Sequence, residues 1–306
     1  MKRLVVGALA CGLLVSCAPT EEAKPEASIV VTYSILGALV SEIVGDAAVV
    51  TTVIPDGQDP HDFEPSAKDI ELLNDANLIV SNGLDFEEGL SEAIQAAENR
   101  GIPHFVVSDH VTTRTGDDHS HESDHSHESD GSDHSEDEGS AVDPHLWLSP
   151  HTMSEMIGDL GDALERVLGI DVSAAAASMS ASLDALDEEI STRIKGLGSC
   201  TLVTGHDELG YFADRYGCTI VGAVIPSFST TAEASAGELA ELKVLVRQYN
   251  VGAIFTGIGT SADVVEVLSD ELGVPAIELA THYLSGVSTY DAFMTRLVDQ
   301  IVQGLS

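Results

Sequence analysis

Basic side chains are scarce in this chain of 306 residues, in which 13 Lys and Arg stand against 51 Asp and Glu and the formal net charge is −38. This balance argues against a nucleic-acid partner, because phosphate binding needs clustered Lys and Arg. Any single carboxylate is best interpreted as part of a solvated surface that keeps the protein soluble. The excess of negative charge as a whole favours cations as ligands.

Aromatic residues are also few, and Trp147 is the only tryptophan that could stack on a sugar ring. The first predicted strand is not followed by GxGxxG, and the chain has no GxxxxGK[ST] motif. These two motifs mark the common loops that bind dinucleotides and nucleoside triphosphates. Binding of a nucleotide or a sugar is therefore disfavoured.

Two of the four cysteines fall in an N-terminal export region. Lys2 and Arg3 precede an apolar run over residues 4–15, which is typical of a secretory signal and shorter than a membrane-spanning helix of about 20 residues. The "LVSC" that ends this region resembles a bacterial lipobox and predicts a signal peptide over residues 1–17 with lipidation of Cys17. An ordinary signal cleaved nearby is the alternative. Residues 18–27 form a polar tether, so we expect an exported protein, periplasmic or on the cell surface, that is lipid-anchored to a membrane.

Cys200 and Cys218 are the cysteines that remain once Cys11 is removed with the signal and Cys17 carries lipid. In an oxidising compartment this pair can form a disulfide that closes a loop of roughly 19 residues and stabilises by on the order of 3 kcal/mol. A thiolate metal site is the competing interpretation, but two sulfurs are too few for it.

The folded part of the sequence alternates β-branched runs with amphipathic helical stretches. "SIVVTY", "AVVTTVI", "NLIVSN" and "HFVVSD" predict strands in the first half, and "CTLVTG", "CTIVGAV", "VGAIFTG" and "VPAIEL" predict strands in the second. Strands separated by helices indicate parallel sheets covered on both faces. The prediction is an α/β fold with two lobes, each a parallel sheet with flanking helices.

Between the two series, residues 150–168 predict one helix, and the Ala-rich stretch from Asp171 predicts a long helix of roughly 37 Å. We expect this long helix to be a rigid connector between the lobes. The predicted organisation is therefore an N-terminal lobe over residues 28–168, a connecting helix over 169–197 and a C-terminal lobe over 198–306.

Residues 116–140 contain only Gly, Ser, His, Asp and Glu and include the repeat "DHSHES". Nothing in this composition offsets the entropy cost of ordering, so a disordered loop inside the N-terminal lobe is predicted. Its five histidines favour weak, multidentate capture of a borderline metal such as zinc over a purely solubilising role. The residues concerned are His119, His121, His125, His127 and His134.

Three other histidines, His61, His206 and His282, follow predicted strands, and His145 opens the passage from the first lobe to the connector. Ligands bind in open α/β sheets beyond the carboxyl ends of parallel strands, so one cleft between the lobes could collect all four. A lone histidine is more often a hydrogen-bonded structural residue than a ligand, but four at corresponding points of two lobes favour a metal site. The helical stretch "DELGYFADRYG" follows His206 directly and would keep that imidazole neutral through the helix dipole.

The dipeptide Asp-Pro precedes both His61 and His145. Proline fixes the backbone before each histidine and limits where the imidazole can point. Asp59 and Asp143 could accept the ring N–H that does not face the metal, which is a frequent supporting role around metal-binding histidines.

Several segments together resemble the periplasmic or surface-anchored zinc- and manganese-binding proteins of bacterial ABC importers: "DPHDFEPSAKDIELLNDANLIVSNG", "DPHLWLSP", "TGHDELGYFADRYG", "EASAGELAEL" and "VSTYDAFMTRLVDQIVQGL". The resemblance covers nearly the whole mature chain. It implies two α/β lobes bridged by one long helix, limited hinge motion, one divalent ion bound between the lobes, and delivery of that ion to a membrane permease.

The resemblance carries His61, His145 and His206 over as ligands, and the third is a position where manganese-type members often have a carboxylate. Nitrogen ligands favour zinc over manganese. The fourth position departs from the family pattern, because "ATHYLSG" offers His282 where many relatives have an aspartate; water, Glu64 or Glu233 are the alternatives. The "FTG" ending at Gly257 also lacks a glutamate that relatives often carry.

The sequence therefore predicts an exported Zn²⁺-binding protein without enzymatic activity that serves an ABC importer permease, acts as a monomer and has a zinc metallochaperone as a further candidate partner. A zinc hydrolase is the alternative, since three histidines and an open position can activate water. A manganese-binding or adhesin-type surface lipoprotein is another. Because a ligating imidazole must be neutral, metal affinity is expected to fall from about pH 7 to about pH 5.

Overall fold

Two parallel sheets of four strands form the framework of the molecule, which is a computed structural model that describes residues 27–116 and 141–306. The signal peptide, Cys17, most of the tether and the histidines of the acidic tract lie outside the described residues. The strands of the first sheet are β1 (Ala27–Val31), β2 (Ala48–Thr52), β3 (Leu78–Ser81) and β4 (His104–Val106). Those of the second are β5 (Thr201–His206), β6 (Thr219–Ile225), β7 (Ile254–Thr256) and β8 (Ala276–Glu278).

Both sheets have the same topology. The first has the strand order β2-β1-β3-β4 and the second β6-β5-β7-β8, with every neighbouring pair parallel. The first lobe carries the helices α1 (Ser34–Val44), α2 (Ala67–Asn74) and α3 (Ser91–Glu98), and the second carries α6 (Gly210–Tyr216), α7 (Ala236–Tyr249) and α8 (Ala262–Leu272). The predicted pair of α/β lobes is thereby confirmed.

Strand residues alternate between two apolar layers, as the period of two along a strand requires. Ile29 and Val31 of β1 belong to a large core that also contains residues of the second lobe, whereas Val30 faces a separate cluster with α2 and α3. The second sheet repeats this division, because Leu202 points to the large core and Val203 to a cluster with α7 and α8. Each lobe thus has its own outer core and shares an inner one.

Three long helices line the shared core: α4 (Pro150–Leu168), α5 (Ser173–Lys195) and α9 (Tyr290–Leu305). Ser149 caps α4 and Pro150 opens it, while Gly169 ends it in the left-handed conformation that glycine adopts without strain. The 23 residues of α5 span about 34 Å and pack against α1 of the first lobe and α6 of the second. Within the described residues, no helix is both long and apolar enough to cross a bilayer.

Cys200 and Cys218 form the predicted disulfide. It joins the residue before β5 to the residue before β6, so it lies at the opposite end of β5 from His206.

Candidate metal centre between the lobes

Three of the four predicted histidines lie at or after the C-terminal end of a strand, and the fourth lies just before α4. His206 is the last residue of β5, and His61 lies in the short turn Pro60–Asp62 that follows β2. His282 follows β8, and His145 directly precedes the turn Leu146–Leu148 that leads into α4. The carboxyl edges of the two sheets therefore bring residues from distant parts of the chain to one place.

The structure brings His61, His145, His206 and His282 together, with one nitrogen atom of each within 4.8 Å of the others. Nε2 of His145 and Nε2 of His206 are 3.1 Å apart. In a tetrahedral zinc site with Zn–N distances of about 2.05 Å, neighbouring ligand atoms are about 3.4 Å apart. The cluster therefore needs only a small contraction to surround one such ion.

Several nitrogens of this cluster are buried without a hydrogen-bond partner among the described residues: His61 Nε2, His206 Nδ1 and His282 Nε2. A buried polar atom without a partner costs free energy that the fold must offset elsewhere. A divalent cation that accepts imidazole lone pairs would satisfy Nε2 of His61 and Nε2 of His282, whereas Nδ1 of His206 faces the carboxylate of Glu208. The donor set consists of nitrogen only, which suits zinc better than manganese.

Burial keeps three imidazoles of this cluster neutral at neutral pH, those of His61, His206 and His282. Desolvation, together with the neighbouring charge of His145, lowers the pKa of His61 to about 3. Desolvation also lowers the pKa of His206 and that of His282 well below the ordinary value, with smaller contributions from the other histidines of the cluster. These three rings therefore present lone pairs to a cation at neutral pH without first losing a proton.

A carboxylate fixes the orientation of His145. Nδ1 of His145 lies 2.8 Å from Oδ1 of Asp143, and both side chains are buried. Since a carboxylate oxygen only accepts, Nδ1 carries the proton and Nε2 keeps its lone pair free. Arg114 donates to the other carboxylate oxygen over 2.9 Å and also to Asp214 of the second lobe.

Asp59 acts differently from the expectation that it would accept a ring N–H. Its Oδ1 accepts the backbone N–H of His61 at 3.1 Å, and its Oδ2 accepts the hydroxyl of Thr230 at 2.6 Å. The carboxylate caps the turn that carries His61 and links this turn to the second lobe. It therefore fixes the backbone under the imidazole instead of the ring itself.

Aromatic side chains close the site from the first lobe. Phe86 stacks on His282 with ring centroids 5.8 Å apart and meets the ring of His61 edge-on at 5.0 Å. Trp147 is fully buried, lies 5.4 Å from His145 and donates from Nε1 to the carbonyl of Thr281. This tryptophan is consequently not accessible to stack on a sugar ring.

Two further details differ from the sequence-based expectations. Helix α6 begins at Gly210 and not directly after His206, so the helix dipole is a weaker influence on His206 than burial. Glu64 and Glu233, which were alternative fourth ligands, are both exposed and do not belong to the histidine cluster.

Glu208 is not among the site residues predicted from the sequence, but it is 1% exposed and lies near two of the imidazoles. Its oxygens are 3.8 Å from Nδ1 of His206 and 3.6 Å from Nδ1 of His282. Burial raises the pKa of Glu208 to about 7, although a hydrogen bond from Thr281 and the charge of His145 act in the opposite direction. The only sequence signal was its place in the motif "TGHDELG".

The fold and the site together define a two-lobed α/β protein that can hold a cation in a buried cluster of imidazoles between its lobes. The family model described as "Zinc-uptake complex component A periplasmic" matches residues 29–304, and the chain belongs to this family. It is 30% identical to the high-affinity zinc uptake system protein ZnuA of Bacillus subtilis (strain 168) over 91% of this chain and 87% of that protein.

Other relatives agree with this assignment. The chain is 29% identical to the zinc-binding protein AdcA of Streptococcus pyogenes serotype M3 (strain MGAS315) over 84% of its own length, but it spans only about half (51%) of AdcA. The solved structure of the periplasmic zinc-binding protein TroA from Treponema pallidum matches with a TM-score of 0.75 and 25% identity, and the match covers 92% of this chain and 99% of that one.

Proposed function

We propose that this protein captures Zn²⁺ outside the cytoplasm in the cleft between its lobes and delivers it to an ABC importer. The observation that carries the proposal is the group of four buried imidazoles with one nitrogen each within 4.8 Å of the others. Membership of a family of periplasmic zinc-uptake components supports it. The cation is the transported substrate and not a cofactor of a reaction.

In this proposal, the zinc ligands are His61, His145, His206 and His282. Four nitrogen ligands complete a tetrahedral shell, which is the closed arrangement of zinc sites without a bound water. A hydrolase would need an open position for water, so the closed shell argues against catalysis. The all-nitrogen set also argues against manganese as the preferred ion, although one curated relative, at 26% identity, is named a manganese-binding lipoprotein.

Export and anchoring complete the proposed function. The disulfide between Cys200 and Cys218 is typical of an oxidising, extracytoplasmic compartment. Lipidation of Cys17 would hold the protein at the membrane that contains its permease, where several acyl chains give stable attachment. The monomeric state and a metallochaperone as a further partner stay predictions.

The histidines of the acidic tract are proposed to raise the zinc concentration near the cleft. The ends of the tract are held together, because the amide of Gly116 donates to the carbonyl of Ala141 over 3.0 Å and Thr115 pairs with Val142. Gly116 lies against Phe228, whose ring centroid is 6.5 Å from that of His145. Both ends of the tract therefore start close to the proposed site.

Metal analysis tests the proposal directly. The protein purified without added metal should contain close to one zinc per chain, and a competitive titration should show tighter binding of Zn²⁺ than of Mn²⁺. A crystal grown with zinc should place the ion among the four imidazoles. In a strain that lacks its own zinc-binding protein, expression of this protein together with its cognate permease should restore growth under zinc limitation. An ion bound elsewhere, or an imidazole too distant to share it, would refute the proposed site.

A further inference from the structure

Glu208 is a buried carboxylate that lies beside the proposed zinc ligands but is not one of them. It lies two residues after His206 and is directed toward the Nδ1 atoms of both His206 and His282, at 3.8 and 3.6 Å. These distances are slightly long for hydrogen bonds. The hydroxyl of Thr281 lies 3.0 Å from Nδ1 of His282 and also hydrogen-bonds to Glu208, so one polar chain already connects the carboxylate to the second imidazole.

The unsatisfied atoms around this carboxylate are complementary. Among the described residues, neither Nδ1 of His206 nor Oε2 of Glu208 has a hydrogen-bond partner. One can be a donor and the other is an acceptor, and each is buried. Nδ1 of His206 is nearest to Oε1 and Nδ1 of His282 is nearest to Oε2, so a short movement of the carboxylate would bring both Nδ1 atoms within hydrogen-bond distance once each carries a proton.

The contact between His145 and His206 explains why these atoms are not yet paired. His145 is protonated on Nδ1 by its contact with Asp143, so its Nε2 accepts, and Nε2 of His206 at 3.1 Å must carry the proton. Zinc that binds to Nε2 of His206 requires the other tautomer, with the proton on Nδ1. That nitrogen faces Oε1 of Glu208.

Space for the carboxylate is provided by Gly257 at the end of the neighbouring strand β7. A Cβ placed on Gly257 would lie 3.3 Å from Oε1 of Glu208 and 3.0 Å from the hydroxyl oxygen of Thr281. A side chain at this position would therefore crowd the carboxylate of Glu208 and the hydroxyl of Thr281, both of which would have to move to admit it. The absence of a side chain at Gly257 in "FTG" thus leaves room for the buried Glu208 of "TGHDELG".

We propose that Glu208 is a positioning residue shared by two zinc ligands, whose single carboxylate accepts the Nδ1–H of His206 and of His282 when their Nε2 atoms bind the ion. This inference rests on the proposed function of the cleft. Glu208 faces the edges of the rings opposite to the proposed ligand atoms, so it supports the ligands and does not itself bind zinc. Its negative charge also balances part of the charge of the dication in a site from which water is largely excluded.

The test compares zinc affinity, by competition with a chelator, in the full mature chain and in variants. Glu208→Ala should weaken zinc binding by about 10- to 100-fold, because the Nδ1–H of His206 is then buried without an acceptor. Glu278→Gln is the matched control, since it removes the same charge from an exposed side chain at the end of β8 and should leave the affinity unchanged. Equal affinity of Glu208→Ala and the control would overturn the inference.

A relocated carboxylate distinguishes positioning from a general contribution to the fold. Gly257→Glu combined with Glu208→Ala fills the vacated volume and should bind zinc more tightly than Glu208→Ala alone. Gly257→Glu by itself should weaken binding, because two carboxylates would compete for one space. A double variant no tighter than Glu208→Ala would show that a carboxylate at this place is not what matters.

The tautomer provides an independent readout. In ¹H–¹⁵N spectra of the wild-type imidazoles, zinc should move the proton of His206 from Nε2 to Nδ1, and this Nδ1–H should exchange faster in Glu208→Ala. Unfolding of the metal-free Glu208→Ala variant should not occur at a lower temperature, and a decrease that parallels the loss of affinity would overturn the inference. If the wild-type protein binds no zinc in the cleft, the proposed function fails. If the wild type binds zinc there and Glu208→Ala binds it equally well, only the proposed role of Glu208 fails.

Discussion

The histidines of the interlobe cluster differ from those at the periphery of the molecule in what their ring nitrogens contact. Three described histidines form the peripheral set: His104, His110 and His151. Each lies near a carboxylate, with Nδ1 of His104 2.8 Å from Glu98, Nδ1 of His110 2.8 Å from Asp159, and Nε2 of His151 3.9 Å from Glu155. His104 is satisfied on both nitrogens, because its Nε2 lies 2.7 Å from the hydroxyl of Ser81.

In the interlobe cluster, the fold leaves several ring nitrogens unpaired and removes water from them. Only His145 contacts a carboxylate at hydrogen-bond distance, and that contact uses Nδ1. The difference indicates that a candidate metal site depends on leaving ring nitrogens without partners as well as on placing histidines together. A peripheral imidazole already has a partner and solvent, so it gains less from a cation.

The largest expected effect comes from removing one imidazole of the interlobe cluster. If four ligands share roughly 10–16 kcal/mol of zinc binding, one carries on the order of 3 kcal/mol, and His206→Ala should weaken zinc affinity by at least about 100-fold. Chelator competition measures the change. His151→Ala is the control, since His151 is exposed on α4. The zinc affinity of this variant should equal that of the wild type.

A similar loss in both variants would contradict the distinction between the two sets. It would indicate that zinc binds to surface histidines and that the buried cluster is a structural feature. A crystal of the His206→Ala variant grown with zinc separates these outcomes, because it shows which side chains hold the ion.

Much of the fold was predictable from the periodicity of the sequence. The strands β1 and β3 each contain a run of three buried apolar residues, and the Ala-rich α5 contains neither glycine nor proline, so these patterns are visible in the local sequence. The start of α6 was not predictable in this way. The backbone of Asp207 pairs with the carbonyl of Ser227 in another segment, and such a long-range contact leaves no local pattern.

The candidate site was only partly predictable. His61, His145, His206 and His282 could be selected because each follows a predicted strand or opens a new segment, and parallel strands place their carboxyl ends at one edge. Glu208 could not be selected, since one more glutamate in a chain with 51 acidic residues resembles the solvated surface. Its burial depends on the space at Gly257, which is 49 positions further along the chain.

A second prediction concerns His145, the one ring in the cluster that contacts a carboxylate. Asp143→Asn places an amide between the ring N–H of His145 and the guanidinium of Arg114, two donors that a single amide oxygen cannot both satisfy. Zinc affinity should fall by at least about tenfold, at the lower end of the range for such supporting residues. Asp214→Asn is the control, because Asp214 is an exposed partner of the same arginine. Unchanged affinity in Asp143→Asn would remove the supporting role of Asp143.

A third prediction concerns the ion preferred by a cluster made of nitrogen only. His282→Asp replaces one imidazole by a carboxylate oxygen, a ligand that suits manganese better than nitrogen does. The ratio of Zn²⁺ to Mn²⁺ affinity should fall by about tenfold, measured by competitive titration of each ion. An unchanged ratio would mean that His282 does not bind the ion, and the fourth position would then be held by water or another side chain.

The smallest expected effect is that of pH, and here burial changes the sequence-based expectation. Four exposed imidazoles with a pKa near 6.5 would each have to lose a proton, and affinity could then fall by up to about 10⁴-fold per pH unit below that value. In the folded protein the pKa of His61 is about 3 and those of His206 and His282 are well below the ordinary value, so these three rings lose fewer protons on binding zinc than exposed imidazoles would.

Glu208 adds a pH dependence that the neutral imidazoles lack, because its pKa is raised to about 7 and it is protonated in the metal-free protein at about pH 5. Zinc binding must then displace this proton, which weakens affinity as the pH falls. We therefore expect affinity to fall by less than about tenfold per pH unit from about pH 6.5 to about pH 5, and by still less in Glu208→Gln. Chelator competition at several pH values provides the measurement. A slope that requires three or four protons per zinc would show that the imidazoles are solvated before the ion binds, and the contrast between buried and peripheral histidines would not hold in solution.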